Sequence, residues 1–431
     1  MTFKMKKVTQ AVVCAAGLMG MSGAAHAVNW LQVQGTEPSY SVARAKVWGF
    51  IQPEYQYTKN TPLKGGPFAG QPAVFNQQRP DLTSPSSFNV LRARIGVRGV
   101  AFPLSDKIDY FILAEFGNNG ITQPTGHAAQ LSDASITLNY IPGARIRVGE
   151  FKYPGSEEGM MGIPAFNFVN FSQVTNQMML ERHFANLTGR NPNPKMGGAS
   201  ETPNLPNSPI GAFRDTGVQV FDWFDVGNWE NAYAVMVGNG NGLNLTDNNN
   251  HKDLYLYYSL ARIFGGQGPH RQSWKTYVWW QQGKRTIGQW DSTAGDFVQK
   301  TFDRKRYGIG TTFRRGKIRA DAEYMRGDGM IFNSTAGGGA PSDTRVAGGT
   351  TYYANFNILP NEKSNGWYID GGYEVMPKLW LEARYDRYNR GTEVSTDERV
   401  FKTTTIGAEY FFNKASRIIV NYEFRKADAP G

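Results

Sequence analysis

Residues 88–102, FNVLRARIGVRGVAF, carry three arginines at even spacing: Arg92, Arg94 and Arg98. The positions between them are mostly apolar, so guanidinium groups alternate with hydrocarbon. A guanidinium stays protonated at physiological pH and presents several N–H donors in one plane, which suits it to exchange with the water around an anion. These residues could therefore bind anions reversibly along a row of cations.

Two further pairs of arginines have the same two-residue spacing, in ARIRVGEF and in RKRYGIG. Residues two apart point to one face of a strand, whereas a helix would spread them around its circumference. We therefore predict that each segment is a β-strand with its arginines on the polar face. The candidate anion pathway consists of Arg92, Arg94, Arg98, Arg145, Arg147, Arg304 and Arg306.

The N-terminus indicates the compartment to which these strands belong. Lys4, Lys6 and Lys7 precede an apolar run over residues 8–21, and AHA follows at residues 25–27. This order predicts a signal peptide over residues 1–27. Cleavage after Ala27 would remove these three lysines and no acidic residue, so the formal charge would fall from +10 to +7. It would also remove Cys14, the single cysteine, so a c-type haem and a cysteine zinc site are excluded.

The remaining chain is typical of a transmembrane β-barrel. No apolar run approaching about 20 residues follows the signal peptide, which excludes a helical membrane protein. Segments of about ten alternating residues are separated by very short turns and by long polar stretches in alternation. The short ones are FPLSD, IPGA, DVGN, RRGK, MPK and NKA, and the long ones fall near residues 58–87, 118–130, 152–212, 239–250, 285–302, 327–363 and 389–400. Short turns at one end and long loops at the other predict periplasmic and extracellular ends.

We therefore expect an all-β fold, a transmembrane antiparallel barrel over residues 46–431, preceded by a periplasmic segment over residues 28–45. Fifteen strands can be assigned, whereas a bacterial barrel needs an even number, so we expect sixteen. Either the chain stops one strand short, or a strand is hidden in residues 28–44 or 152–212. The expected location is the outer membrane of a Gram-negative bacterium.

Seven segments, in order, resemble the phosphate-selective porins O and P, and this likeness covers roughly residues 47–424. They are FNVLRARIGVRG, DYFILAEFG, LSDASITLNY, IRVGEFKYPGSEEG, MMLERHF, RDTGVQVF and VMVGNGNGLNLTDNNNHKDLYLYYSL. The resemblance implies a homotrimer of 16-stranded barrels, with the third long loop, about residues 152–212, folded into each pore. It also implies that anions pass along a ladder of arginines.

The resemblance assigns roles only where the residues match. Arg92 and Arg94 match pore-facing positions of the family's arginine-rich second strand, whereas Arg98 continues that face by alternation alone. Glu181 and Arg182 match a Glu-Arg step inside the constricting loop, where we expect them to hold the loop against the wall. Residues 152–212 contain only two lysines, Lys152 and Lys195, so a dense cluster of lysines that would attract phosphate is not evident.

A structural role for the arginines stays open beside the anion pathway. Lumen arginines often pair with acids and stiffen the wall, and Asp109, Glu115, Asp133 and Asp215 could serve as partners. LTDNNNHKD, residues 245–253, could hold calcium, although an Asn-rich turn fits its spacing better.

The predicted function is passive diffusion of small solutes with anions favoured, without enzymatic activity or a cofactor. The partners would be inorganic anions and outer-membrane lipid, and not nucleic acid. The alternatives are an unselective diffusion porin and a barrel sheath around a partner cytochrome.

Overall fold

A computed structural model describes the greater part of the chain. The described residues are 12–16, 29–36, 44–64, 68–71, 78, 84–101, 104–119, 129–181, 211–243, 247–266, 271–291, 293, 296–335, 344–347, 350–353, 356–395 and 398–429.

Alternation of polar and apolar residues produces long strands in most of these ranges. The barrel strands are β1 (Val12–Ala16), β2 (Lys46–Tyr57), β3 (Ser86–Val100), β4 (Ile108–Glu115), β5 (Gln130–Leu138), β6 (Arg145–Lys152), β7 (Arg214–Val226), β8 (Trp229–Gly238), β9 (Asp253–Gly265), β10 (Gln272–Asp291), β11 (Asp296–Arg315), β12 (Ile318–Asp328), β17 (Lys363–Met376), β18 (Leu379–Arg390), β19 (Arg399–Phe411) and β20 (Arg417–Asp428). Two small hairpins lie between β12 and β17, and they are formed by β13 (Ile331–Thr335) with β16 (Phe356–Leu359) and by β14 (Thr344–Ala347) with β15 (Thr350–Tyr353).

The barrel strands follow chain order around one closed antiparallel sheet, β1 to β12 and then β17 to β20, which confirms the all-β barrel fold. The fifteen strands from β2 onward correspond to those assigned from the sequence. The sixteenth position is filled by β1, which pairs with β20 at five positions and with β2 at two. Five residues are about half of what a strand needs to cross a bilayer. These residues also belong to the predicted signal peptide, which stays a prediction. The described parts of residues 28–44 and 152–212 contain no further strand.

Short connections alternate with long ones, as the sequence predicted. All six predicted turns join consecutive barrel strands, and β9 and β10 are joined by a seventh short connection. The expected long loop over residues 285–302 is wrong, because β10 and β11 remain paired as far as Asp291 and Asp296. This hairpin extends beyond its neighbours, since β9 pairs with β10 only as far as Gln282. Ile287 stabilises the extension by packing against Met330 and Ile358.

The two faces of the wall differ in polarity. On β12, Arg319, Asp321 and Glu323 are buried inside the barrel, while Ile318 and Tyr324 are exposed outside. Exposed apolar residues recur on the outer face of other strands, among them Ile51, Ile95, Ile112, Val148, Val218, Val278, Ile369 and Ile406. Lipid covers such a surface, and the protein is an outer-membrane β-barrel. Among the described residues, no helix is long and apolar enough to cross a bilayer.

One part of the expected alternation on β3 is wrong. Ile95 lies outside as expected, with 56% of its surface exposed, but Leu91 is only 4% exposed. The pairing register of β2 and β3 shifts between Gln52 and Pro53, so that Leu91 is the extra residue of a β-bulge. The bulge removes Leu91 from the outer row and leaves Val90 exposed in its place.

The helical elements are short. α1 is Trp30–Val33 and α2 is Glu157–Met160, a 3-10 helix covers Ile163–Ala165, and a π-helical turn covers Thr175–Met179. All four contribute to a hydrophobic core that lies inside the barrel. This core joins loop residues such as Phe171 and Met178 to wall aromatics such as Tyr255 and Tyr277. The four helical elements, which lie between or before barrel strands, therefore occupy part of the barrel interior.

Candidate functional site

Residues 153–181, here called the constricting loop, cross the interior of the barrel. Nearly all of them are buried, including the polar residues of the segment YPGSEEG. Ser156 caps α2 by accepting a hydrogen bond from the backbone N of Gly159 at 3.2 Å. The acidic Glu157 and Glu158 follow in the first turn, where the helix dipole favours negative charge. The third long loop is thus folded inward as far as the structure describes it.

Ionic contacts fix this loop to walls that are far apart in sequence. Glu157 lies 2.7 Å from Lys275 of β10, and Glu158 lies 3.2 Å from Arg384 of β18. The same Glu158 also accepts a hydrogen bond from the hydroxyl of Ser172 at 2.6 Å. No role was predicted for either glutamate from the sequence, and both lie in the segment IRVGEFKYPGSEEG, which resembles the porins O and P. Two adjacent acids in a stretch otherwise rich in Phe, Met and Gly were the signal that could have identified them.

Backbone contacts continue the attachment toward the last strands. The backbone N of Gln173 donates to Asp386 at 3.0 Å, and that of Val169 donates to Asn421 at 2.7 Å. Arg417 donates to the carbonyl of Phe166 at 2.7 Å. These contacts use side chains of β18 and β20, so the loop touches the wall opposite the strand from which it starts.

Glu181 lies at the described end of the loop, against two arginines. Its carboxylate accepts a hydrogen bond from Arg304 of β11, and it lies 3.4 Å from Arg285 of β10. Burial raises the pKa of Glu181, but the two guanidinium groups outweigh burial and lower the pKa to about 2. Its expected role as a loop anchor stays a prediction, and Arg182 lies outside the described residues.

Ion pairs engage Arg94, Arg145 and Arg304 among the candidate arginines. Arg94 Nε lies 2.6 Å from Oε2 of Glu115 on the neighbouring strand. Arg145 pairs with Asp222, and Arg304 pairs with Glu181. An adjacent carboxylate cancels much of the field of a guanidinium at a distance. These three residues match the structural role that the sequence left open.

Hydrogen bonds to neutral groups are made by Arg92, Arg98, Arg147 and Arg306. Arg92 donates to the amide oxygen of Gln52 at 2.9 Å, and Arg98 donates to the carbonyl of Thr36 at 2.7 Å. Arg147 donates to the hydroxyl of Thr137 at 3.3 Å and to backbone carbonyls of residues 29–36. Arg306 donates to the carbonyls of residues 305, 329 and 330 at 2.8, 2.9 and 2.8 Å.

Among the described residues, no carboxylate therefore lies at contact distance from Arg147 or Arg306, and no ion pair neutralises their positive charge. Both side chains are about 1% exposed.

The remaining expected acids have other partners. Asp133 pairs with Arg214 at 2.9 Å rather than with a candidate arginine. Asp215 accepts hydrogen bonds from the hydroxyl of Tyr255 and the backbone N of Gly240 at 2.9 and 2.7 Å. Asp109 accepts from the side chain of Asn139 at 2.8 Å.

A further buried arginine was missed, because single arginines on inward positions give no pairwise signal. Arg319 of β12 lies 2.5 Å from Glu382 and 2.8 Å from Glu409, and its guanidinium faces the ring of Trp380. This cluster lies near the short turns and stiffens the wall that receives the loop.

The Asn-rich stretch forms ordinary turn contacts where it is described. Asp247 pairs with Lys252, and its carboxylate accepts a hydrogen bond from the backbone N of Asn249 at 3.2 Å. In the described ranges, no group of three or more metal-binding side chains comes together. The side-chain oxygens of Asp247 and Asn249 are thus engaged within the turn, whereas Asp253 pairs with Arg285 of β10 at 2.9 Å.

No protein-family model matches the sequence, and no curated protein matches it. Solved structures similar to this chain include the anion-selective porin from Comamonas acidovorans, with 11% identity, a TM-score of 0.47, and coverage of 89% of this chain and 99% of that chain. The outer membrane channel DcaP of Acinetobacter baumannii has 14% identity, a TM-score of 0.43 and coverage of 88% and 97%. OmpF of Salmonella typhi, in complex with daunomycin, has 13% identity, a TM-score of 0.44 and coverage of 96% and 97%.

Proposed function

We propose that the protein is an outer-membrane porin through which small solutes diffuse passively, and that it is not an enzyme. The observation that carries this proposal is the constricting loop, which crosses a closed barrel and is fixed through Glu157 to β10 and through Glu158 to β18, the latter opposite the strand β6 from which the loop starts. A barrel with an apolar exterior and an inward loop narrows the aqueous path across the membrane. Such a constriction selects solutes by size and by charge.

We propose further that anions are favoured. The candidate pathway is the set of seven arginines predicted from the sequence, but the contacts divide its members. Arg147 and Arg306 have only neutral hydrogen-bond acceptors among the described residues, so no carboxylate in contact weakens their positive field. Arg94, Arg145 and Arg304 contribute less, because each is paired with a carboxylate. The formal charge of +7 expected after signal cleavage acts in the same direction.

The resemblance to the phosphate-selective porins O and P belongs to this proposal, as does the homotrimer that it implies. The permeant class we propose is inorganic anions in general. Phosphate specificity is not part of the proposal, because residues 152–212 offer only Lys152 and Lys195 beside their arginines. Lys152 donates to the carbonyl of Met161 at 2.7 Å, so this lysine is already engaged within the loop.

The test is a measurement of reversal potential in planar bilayers across a potassium chloride gradient. We expect the sign of an anion-selective channel, and a shift toward neutrality in Arg306→Gln. Lys414→Gln is the matched control, because it removes one positive charge from the exposed turn between β19 and β20. A cation-selective wild type would reject anion preference. Equal effects of the two variants would reject the role of Arg306. Replacing chloride by phosphate and by sulfate then ranks the anions.

An unselective diffusion porin is the second candidate, and the ion pairs of Arg94, Arg145 and Arg304 favour it. It predicts a reversal potential near zero that the double variant Arg92→Gln/Arg94→Gln leaves unchanged. The sheath around a cytochrome has no support from these contacts, because the constricting loop occupies the interior. Co-purification of a haem protein with the native barrel would support the cytochrome-sheath hypothesis.

A further inference from the structure

Residues 29–36, here called the inner segment, lie inside the barrel although we expected them to be a periplasmic segment. The segment begins at Asn29, which caps α1 by accepting a hydrogen bond from the backbone N of Gln32 at 3.4 Å. Trp30 and Leu31 are 4% and 2% exposed and belong to the hydrophobic core of the interior. Large apolar side chains that are buried as completely as these two are packed as part of the structure.

The wall holds the inner segment through its backbone carbonyls. Arg98 donates to Val33 and Thr36 at 3.1 and 2.7 Å, and the hydroxyl of Thr137 donates to Gly35 at 3.1 Å. Arg147 donates to the carbonyls of residues 31 and 34. Hydrogen bonds from charged donors are among the stronger ones in proteins.

The three wall residues lie close to short turns. Arg98 is two residues before the end of β3, Thr137 is next to the end of β5, and Arg147 is two residues after the start of β6. The inner segment therefore occupies the short-turn end of the barrel.

The other side of the inner segment is bonded to the constricting loop. The indole Nε1 of Trp30 donates to Oε1 of Glu157 at 2.7 Å, and the side-chain amide of Gln34 donates to the carbonyl of Met160 at 2.7 Å. Glu157 is also the partner of Lys275. The segment thus connects the wall formed by β3, β5 and β6 to the same loop that narrows the interior.

We propose that the inner segment is a built-in plug, which narrows the short-turn end of the channel and braces the constricting loop. This inference rests on the proposed channel function. The plug also occupies N–H donors of Arg98 and Arg147 with neutral carbonyls. Its removal therefore exposes guanidinium donors to passing ions while it enlarges the opening. We therefore expect conductance and anion preference to rise together when the plug is removed.

The main experiment deletes residues 29–36 and keeps residues 1–28, so that the predicted export signal is unchanged. Folding is checked by the shift in electrophoretic mobility between unheated and boiled samples. We expect a larger single-channel conductance and a reversal potential shifted toward the chloride limit. A synthetic peptide of residues 29–36, added to the short-turn side, should lower the conductance again. The same peptide added to the loop side should have no effect.

Point variants keep the inference testable if the deletion variant does not fold. Arg147→Gln removes donors to the inner segment, whereas Lys414→Gln removes one positive charge from the exposed short turn between β19 and β20 at the same end of the barrel. We expect a larger conductance in Arg147→Gln and in Trp30→Ala, and wild-type conductance in Lys414→Gln. A conducting wild type whose conductance is unchanged by the deletion and by Trp30→Ala would overturn the plug and leave the channel intact. A wild type that does not conduct would instead overturn the proposed function.

Discussion

The ammonium group of Lys275 on β10 lies 2.7 Å from Oε2 of Glu157 in the constricting loop, and both side chains are almost fully buried. Trp30 donates to the other oxygen of the same carboxylate. A buried charge that loses its partner has neither water nor a counterion, so the cost of breaking such a pair exceeds the net gain from forming it. This attachment of the loop should therefore be sensitive to the loss of either partner.

Glu157→Gln should lower the free energy of unfolding by about 3 kcal/mol, because it removes the charged partner 2.7 Å from the buried ammonium group of Lys275. The double variant Glu157→Gln/Lys275→Gln should recover a part of that loss, with a coupling energy of about 1–3 kcal/mol. Urea unfolding in detergent micelles, followed by tryptophan fluorescence, measures both. Strictly additive effects would show that the two groups do not interact energetically.

The ion pairs of Glu181 with Arg304 and Arg285 should persist in acid. The pKa of Glu181 is lowered from 4.5 to about 2, so its contribution to stability is complete above pH 4.5 and is lost as the pH falls toward 2. The shift corresponds to roughly 3 kcal/mol at neutral pH. Glu181→Gln should therefore be less stable than the wild type by about that amount at pH 6, and the difference should shrink between pH 4 and pH 2.

Urea unfolding at a series of pH values gives this difference directly. Other carboxylates titrate in the same range, but they do so in both proteins and cancel from the comparison. A stability difference that disappeared already at pH 5 would mean that Arg304 and Arg285 do not hold the carboxylate in its charged form.

The cluster around Arg319 should be essential to the wall. Arg319→Met leaves the buried carboxylates of Glu382 and Glu409 facing each other with one cation fewer, which should lower the free energy of unfolding by about 3–5 kcal/mol. Lys363→Met removes a cation from an exposed pair with Glu393 and should leave the stability unchanged. Equal urea midpoints for the two variants would contradict the assignment of Arg319 to a buried network.

Much of the fold could be predicted from the sequence, because the alternation of polar and apolar residues within each strand indicates which residues face water. Arg94 and Ile95 are assigned to opposite faces by one step along β3, without reference to any other strand. The bulge at Leu91 could not be predicted in this way, since it depends on the register between β2 and β3. The hydrogen-bond and ionic partners of the inward-facing arginines could not be predicted from the sequence either.

The partners depend on how the barrel closes and on where the loops run. Arg147 and the inner segment are separated by more than a hundred residues, and nothing in ARIRVGEF indicates that its donors meet the carbonyls of residues 31 and 34. The same holds for Glu158 and Arg384, which meet only because the loop crosses the interior. The alternation of polar and apolar residues predicts which face of the strand a side chain lies on. Its hydrogen-bond or ionic partner depends on tertiary contacts that alternation does not contain.

The last prediction concerns Gly149 in the middle of β6, where the backbone leaves no room for a side chain. Its φ is +130°, a region that is essentially restricted to glycine, and a Cβ atom there would lie 2.1 Å from the carbonyl oxygen of Ala134. Gly149→Ala should lower the free energy of unfolding by about 2–5 kcal/mol, from backbone strain and from overpacking together.

Gly143 provides the matched control for Gly149, because its φ is +78° but no atom lies within 4 Å of the Cβ position. Gly143→Ala therefore carries the backbone strain without the steric clash and should cost about 1 kcal/mol. Urea unfolding of the two variants separates the contributions. A similar loss in both would mean that β5 moves away from β6 at no cost, and the close approach of the two strands at Gly149 would then not constrain the wall next to Arg147.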